Sequence, residues 1–485
     1  MTLENNTQIL VIISVAIYAL VFLAIGLYVR RMYKTETKNE FLVANREIGT
    51  QKLAFSIAAT WIWSTALFVS ATLAFNFGLA GAFWFCFPNF ITLVVFGYFA
   101  ARARRLHPDG FTMPHFMEKF HGRRVNAIYL FQALALMIMG FAAQTIAGIS
   151  VLNILTGIPM WIWSFVVVAI VVSYILLGGV RASILTDNIQ ILLILLVVFV
   201  VLPMILFIPE NLSAVLAGIG GKTGLYTSIF SAEGWEVFLA VGLMTSLSLM
   251  VATYGDQTLW QRIYSAKIES VSRGFYLAAC IFIIVPITMS LLGFIAAGSG
   301  MVINNPSNVT IETAISIFPT IIAVLFLLMI LSALLSTMDS LASAVSSLTV
   351  QDLSKYLKLD VSTDVNVVKV ARYGILLLCI GALIIANTPG MQLLYIFLFY
   401  GTLRASTAFP LILTMLKKKL NSKGILVGVL MGMAFVPAHA YFQYNGLTTN
   451  ASIATICALV VPLIVSVLWT KINGTQMDGE AYVET

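Results

Sequence analysis

The chain has 485 residues, of which 60% are hydrophobic and 10% charged, with a formal net charge of +7. A soluble globular domain carries about 25% charged residues, so this composition excludes a soluble enzyme or binding module and marks an integral membrane protein. The basic surplus does not point to nucleic acid, because its placement follows membrane topology instead.

Apolar runs of about 20 residues, enough for a hydrocarbon core of about 30 Å, recur along the whole chain. About thirteen spans are expected, at about 8–29, 51–75, 82–104, 125–152, 160–178, 184–208, 235–255, 274–297, 313–348, 368–387, 390–416, 424–443 and 451–470. Their length excludes a β-barrel, whose strands are short and alternating. With the N-terminus outside, one set of loops holds Arg30, Arg31, Lys34, Arg102, Arg104, Arg105, Arg123, Arg124, Arg262, Lys267, Arg273, Lys355, Lys358 and Lys417 to Lys419. The opposite loops hold Lys222 alone, and Arg404 lies within a span. That asymmetry predicts an outside N-terminus and a cytoplasmic C-terminus in a multi-pass plasma-membrane protein. The start has no basic n-region, so the first span is expected to be retained. Cys86, Cys280, Cys379 and Cys457 all fall in spans, at no metal-ligand spacing.

The span ending near residue 348 is the most informative. One face carries Ser336, Thr337, Asp339, Ser340, Ser343, Ser346 and Ser347. Hydroxyls pack readily between membrane helices, but an aspartate costs about 3 kcal/mol in hydrocarbon and must face a cation, a proton or a partner. Oxygens at i, i+3 and i+4 suit a small hard cation, which points to a transport protein. The polar connections are short, so residues 1–485 are expected to form one membrane domain with a polar, frayed end. The second to eleventh spans read as five helices followed by five of opposite direction, the arrangement of many secondary transporters.

Three further segments carry a resemblance. Gly178-Gly179-Val180-Arg181-Ala182 followed by Thr186-Asp187-Asn188-Ile189-Gln190, then Asp256-Gln257-Thr258-Leu259-Trp260-Gln261-Arg262 with Ser265-Ala266-Lys267, then Ala333 to Ser347 with Asp352, resemble the signatures of the sodium/solute symporter family. Phe41 to Arg46 is similar to that family's segment before its first core helix. Thr60-Trp61-Ile62-Trp63-Ser64 resembles a short segment of the urea-type branch. The resemblance implies the leucine-transporter-type inverted-repeat fold, all α. The first flanking helix would lie at about 8–29, the ten-helix core at about 51–416, two C-terminal flanking helices at about 424–470 and a cytoplasmic tail at about 472–485.

It also implies sites, residue by residue. The first core helix would break at mid-membrane. The carbonyls of Ala58, Trp61 and Ala333 would then join the hydroxyls of Ser336 and Thr337 around one Na+, as carbonyls do in ion filters. The structural alternative is an unbroken helix with ordinary small-residue packing. A second Na+ position would use Asp187, Ser336, Asp339 and Ser340; otherwise Asp339 pairs with a basic residue and Asp187 caps a turn. Arg404 needs an anion at its depth, either a substrate carboxylate or an internal carboxylate such as Asp256. Thr60, Trp61, Trp63, Gln144, Gln257 and Trp260 are the other candidates for a solute cavity, against a packing role for each.

The expected function is therefore a sodium-coupled secondary-active symporter that moves a small polar solute into the cell. Proton coupling in the same fold is one alternative, and a solute or ion channel is another. The expected partners are the solute, sodium and the lipid bilayer, with no nucleic acid and no obligate protein partner. No nucleophile–base set, phosphate loop or metal cluster suggests an enzyme.

Overall fold

The structure is a computed structural model that describes residues 5–33, 36–303, 305–389 and 393–480. Helices dominate, and the one isolated β-bridge among the described residues joins Ile48 to Ala266. The elements that matter here are α1 (Asn5–Met32), α2 (Thr50–Trp61), α3 (Ser64–Leu106), α4 (Met113–His121), α5 (Arg123–Thr156), α6 (Met160–Leu206) and α7 (Leu243–Gly255). They continue as α8 (Gln257–Ser265), α9 (Val271–Gly298), α10 (Thr320–Leu348), α11 (Asp364–Ala386), α12 (Leu393–Met415), α13 (Ser422–Met433) and α14 (Thr448–Asn473).

Among the described residues, ten helices are long and apolar enough to cross a membrane. The expected thirteen spans are thus not recovered as thirteen separate long helices. α2 is too short to qualify, and the expected span at about 390–416 starts on residues outside those described. α3 and α6, at 43 and 47 residues, each consist of two helices meeting at a glycine with positive φ. Gly78 has φ +52°, and a Cβ there would lie 2.3 Å from the Ile219 carbonyl oxygen. Gly179 has φ +54°, and a Cβ would lie 2.3 Å from the Phe41 carbonyl oxygen. Both turns require a residue without a side chain, which gives the Gly178-Gly179 motif a physical reason.

α10 is the centre of the molecule. It packs against α5, α6 and α11, and every residue from Met329 to Leu348 is buried. A helix apolar on all sides and hydroxyl-rich on one stripe is buried by protein all round. The chain breaks at two places beside it. Between α2 and α3, Ile62 and Trp63 leave the helical region with φ −82° and −75°, values any residue adopts, so no glycine or proline is needed. Between α7 and α8, Asp256 is extended and its side chain accepts from the Thr258 N–H at 2.9 Å, capping α8.

The C-terminal segment does not fray as expected, as far as Glu480. Asn421 donates to the Gly474 oxygen at 2.9 Å, Ser422 N–H to the Gln476 oxygen at 2.8 Å, and Asp478 N–H to Ser422 Oγ at 3.0 Å. Hydrogen bonds from its backbone to the cap and first residue of α13 hold the tail down, a contact that composition alone does not encode. The end of the expected 472–485 tail, residues 481–485, lies outside the described residues.

Candidate functional site

Two polar clusters line α10, one helical turn apart. The first sits at the broken end of α2. Ser336 Oγ donates to the Ala59 and Ala333 carbonyls, both at 3.0 Å, and Thr337 Oγ1 to the Thr60 and Ala333 carbonyls, both at 3.2 Å. The structure therefore brings Ser336, Thr337 and the Ala333 carbonyl together with the last turn of α2. The α2 oxygens that the hydroxyls reach are those of Ala59 and Thr60, whereas the Ala58 oxygen accepts the Ile62 N–H at 3.0 Å. The cluster carries no charged side chain of its own. Two hydroxyls and the carbonyls of a terminating helix form a cation-seeking set, since helix C-termini hold unpaired oxygens and partial negative charge.

The second cluster is charged. Asp187, Asp339 and Arg262 are all fully buried. Arg262 NH2 lies 3.0 Å from Asp187 Oδ2, 2.8 Å from Ser183 Oγ and 2.5 Å from Ser340 Oγ, and its Nε donates to Ser56 Oγ at 3.2 Å. Ser56 in turn donates to Asp187 Oδ2 at 2.5 Å. Asp339 is held by hydroxyls instead: Ser183 at 2.7 Å, Tyr174 at 2.8 Å, Thr186 at 2.9 Å and Ser340 at 3.4 Å. Of the residues expected to hold a second ion, Asp187, Asp339 and Ser340 converge here, but an arginine stands among them. Ser336 belongs to the first cluster, and the Thr60–Ser340 hydroxyl contact at 2.8 Å joins the two.

Local sequence explains how α8 delivers that arginine. Gln261 Nε2 donates to the Leu42 and Ser343 oxygens, each at 3.0 Å, and to Ser347 Oγ at 2.9 Å. Ile48 and Lys267 bond across the β-bridge that follows. These contacts fix α8 against α10 and the segment preceding α2, and leave Arg262 pointing inward.

A cavity of about 20 Å³ opens between the two chain breaks, lined by Thr60, Trp61, Trp63, Gln144, Asp256 and Tyr400 among others. A single water needs about 10–15 Å³ on this measure, so the cavity is closed down around one or two waters. Four of the expected solute residues thus line it: Thr60, Trp61, Trp63 and Gln144. Gln257 and Trp260 do not. Gln257 Oε1 accepts the Met113 N–H at 2.9 Å, and the Trp260 indole donates to the Tyr254 oxygen at 2.8 Å. Arg404 stands behind the lining, with NH2 at 2.9 Å from Asp256 Oδ2 and 2.6 Å from Tyr400 Oη, and its guanidinium 3.8 Å from the Tyr400 ring centroid. Asp256 was named in sequence only as a potential partner of Arg404, and Tyr400 was not a candidate. Tyr400 lies four residues before Arg404 on α12, a helical spacing that could have raised it.

Outside the spans, the loop between α3 and α4 and α4 itself carry buried histidines. His107 is pushed down to about 2 and His121 to about 4, by burial first and, for His107, by the neighbouring His115 and basic side chains as well. Asp352, in the turn Thr349–Leu353 that follows α10, accepts from Thr112 at 2.6 Å and Asn126 at 2.7 Å, so it ties the end of α10 to the start of α4 and to α5.

The broken helices around a central hydroxyl-bearing helix are those of the leucine-transporter-type inverted-repeat fold. A Na+-coupled sialic acid symporter, in a substrate-bound outward-open state, superposes with a TM-score of 0.77 over 96% of this chain and 98% of that one, at 17% identity. The family model described as Sodium:solute symporter family matches residues 41–432, and the chain belongs to that family. A urea-proton symporter from Oryza sativa subsp. japonica is 25% identical over 82% of this chain and 60% of its own length. A sodium/pantothenate symporter from Escherichia coli is 24% identical over 90% of this chain and 92% of its own. The chain thus spans about three fifths of the rice relative it matches.

Proposed function

We propose that the chain is a secondary-active symporter, not an enzyme, that couples the entry of a small neutral polar solute to sodium. Its ion ligands would be the Ser336 and Thr337 hydroxyls, the Ala333 carbonyl and the carbonyls of the last turn of α2, from Ala58 to Trp61. The observation that carries this reading is the pair of α10 hydroxyls already directed at carbonyls of a broken helix. Inward movement of one positive charge releases about 2.3 kcal/mol per 100 mV, which drives accumulation. The protein would act as a single membrane domain of the plasma membrane, N-terminus outside, as its basic loops indicate.

The solute class follows from Arg404. Its charge is already matched by Asp256, so the cavity presents no free guanidinium to an acid. Aromatic walls with an amide and hydroxyls suit a neutral amide, and several relatives bear the names of urea transporters. Uptake of labelled urea into liposomes holding the purified protein, with and without an inward sodium gradient, tests both parts. Sodium-driven uptake that pantothenate and proline do not inhibit is expected. Sodium-driven uptake of an acid, abolished by Arg404→Gln in a folded protein, would reject the neutral-solute reading.

Asp339 favours a second reading, in which a proton is coupled. Four hydroxyls, those of Ser183, Tyr174, Thr186 and Ser340, surround its carboxyl, and no cationic side chain lies within hydrogen-bond distance of it among the described residues. Such a cage can hold a neutral carboxylic acid. Uptake that follows an inward proton gradient in the absence of sodium would select this reading over the first.

A further inference from the structure

We propose that residues 474–480 form a strap that clamps α4 over α8 and so latches the exit from the cavity toward the face of the basic loops. The inference rests on the symporter reading and adds a restraint on its inward-opening step.

α8 stands between the cavity and that face. Asp256 and Thr258, at its start, line the cavity. Its other side is covered by α4: Gln257 Oε1 accepts the Met113 N–H at 2.9 Å, and the Trp260 and Phe116 ring centroids lie 5.2 Å apart. Gln257, Trp260 and Phe116 are all fully buried. A solute leaving on this side must part α8 from α4 or move the two together.

The strap lies on the far end of α4. The Glu480 N–H donates to the Lys119 oxygen at 2.6 Å, and Lys119 Nζ stands 3.6 Å from Glu480 Oε2. A Cβ on Gly479 would lie 2.3 Å from the Lys119 oxygen and 2.7 Å from the Phe120 carbonyl carbon. Only a residue without a side chain lets the two backbones approach so closely. The other end of the strap is bonded to Asn421 and Ser422 of α13 and its cap. His121, the last residue of α4, completes the clamp, with Nε2 at 2.9 Å from Thr414 Oγ1 and Nδ1 at 3.5 Å from Ser422 Oγ. α4 is thereby tied to α12 and α13, and is held back from following α8 while the strap is down.

The strap is also built to come off. Met477 is its one apolar side chain and is half-buried against the core, while the rest of the strap is exposed. A segment held by a few solvent-exposed backbone hydrogen bonds and little apolar contact opens far below the cost of global unfolding. Such a contact sets how often a gate opens, and the fold does not depend on it.

Hydrogen exchange on the purified full-length chain tests this without knowledge of the solute. Gly479→Val, whose side chain forces the strap off α4, is expected to speed exchange in residues 113–121 and 257–265 by about 10-fold and to leave α10 within about twofold of the wild type. Glu480→Gln removes only an exposed charge pair and should match the wild type throughout. Unchanged exchange at 257–265, in a Gly479→Val chain whose residues 474–480 exchange freely, overturns the inference. An equal rise in every helix does so too, since it marks a general brace and not a latch. Lys119→Cys with Glu480→Cys locks the strap down instead: the oxidised chain should take up labelled urea into liposomes at least about threefold more slowly, and reductant should restore the rate. A rate indifferent to a fully formed disulfide also overturns the latch. No uptake by any chain, with the exchange contrast intact, rejects the symporter reading and leaves the strap as a latch on α4 and α8.

Discussion

The two clusters on α10 share a hydroxyl stripe and differ in charge. At Ser336 and Thr337, neutral hydroxyls face backbone carbonyls, and no side chain there supplies a fixed positive charge. One turn on, Ser340 faces a guanidinium that is bound into the chain and paired with Asp187 at 3.0 Å. A mobile ion suits the first arrangement because its oxygens attract a cation without trapping it beside a full negative charge. The second is already neutral, and its strong interactions are the kind that hold helices together. Position on the helix matters less than whether a partner charge is supplied by the protein.

The comparison predicts that substitutions in the charged cluster act on folding and those in the hydroxyl cluster act on sodium. The largest effect is expected for Asp187→Ala, which leaves a fully buried Arg262 uncompensated at a cost of about 3–5 kcal/mol. A sharply lower thermal midpoint in detergent is the expected result, and a wild-type midpoint would break the contrast. Next, Ser336→Ala with Thr337→Ala should raise the sodium concentration for half-maximal binding by about 30-fold, equivalent to about 2 kcal/mol. The folded fraction should change far less, and an unchanged sodium dependence would remove the first cluster as the ion site. Asp339→Asn keeps the size and much of the hydrogen bonding, so a stability loss of about 1 kcal/mol is expected. If a proton is coupled, the variant also loses any pH-dependent step in uptake, measured between about pH 5.5 and 8, the range in which the profile of an essential acid shows.

The smallest effect lies outside the spans. His107 and His121 are held neutral in the fold, while the unfolded chain takes up protons near 6.5. The unfolded state therefore binds more protons below that pH, so their contribution to stability is present above about 6.5 and is lost as pH falls. The slope is at most about 1.4 kcal/mol per pH unit for each histidine. His121→Gln should flatten the acid limb of a thermal-midpoint profile without altering sodium binding.

Much of this was legible in the residues. The Gly178-Gly179 pair marked a place where two helices meet, because only glycine accepts that φ beside the Phe41 carbonyl. The hydroxyl stripe of α10 was readable from its helical spacing, and Asp187 and Asp339 were readable as costly charges in need of partners. Arg262 was not placed with them. It counted among the basic residues of a loop, and a loop arginine is ordinarily solvated. Gln257 and Trp260 were expected at the cavity because amides and aromatic walls suit a small polar solute, but α8 turns its amide and indole into hydrogen bonds with the segments around it.

The sequence by itself determined the all-helical membrane class, the hydroxyl-bearing central helix and the family, because hydrocarbon permits few ways to satisfy a backbone and makes every buried charge conspicuous. Tertiary structure alone decided which charges meet. Asp187 and Arg262 are 75 residues apart, and Asp256 and Arg404 are 148 apart. No local pattern encodes such pairings, since they depend on where chain breaks and helix packing carry each side chain. Those pairings separate a cluster of neutral hydroxyls and carbonyls from one whose carboxylate is already matched by an arginine.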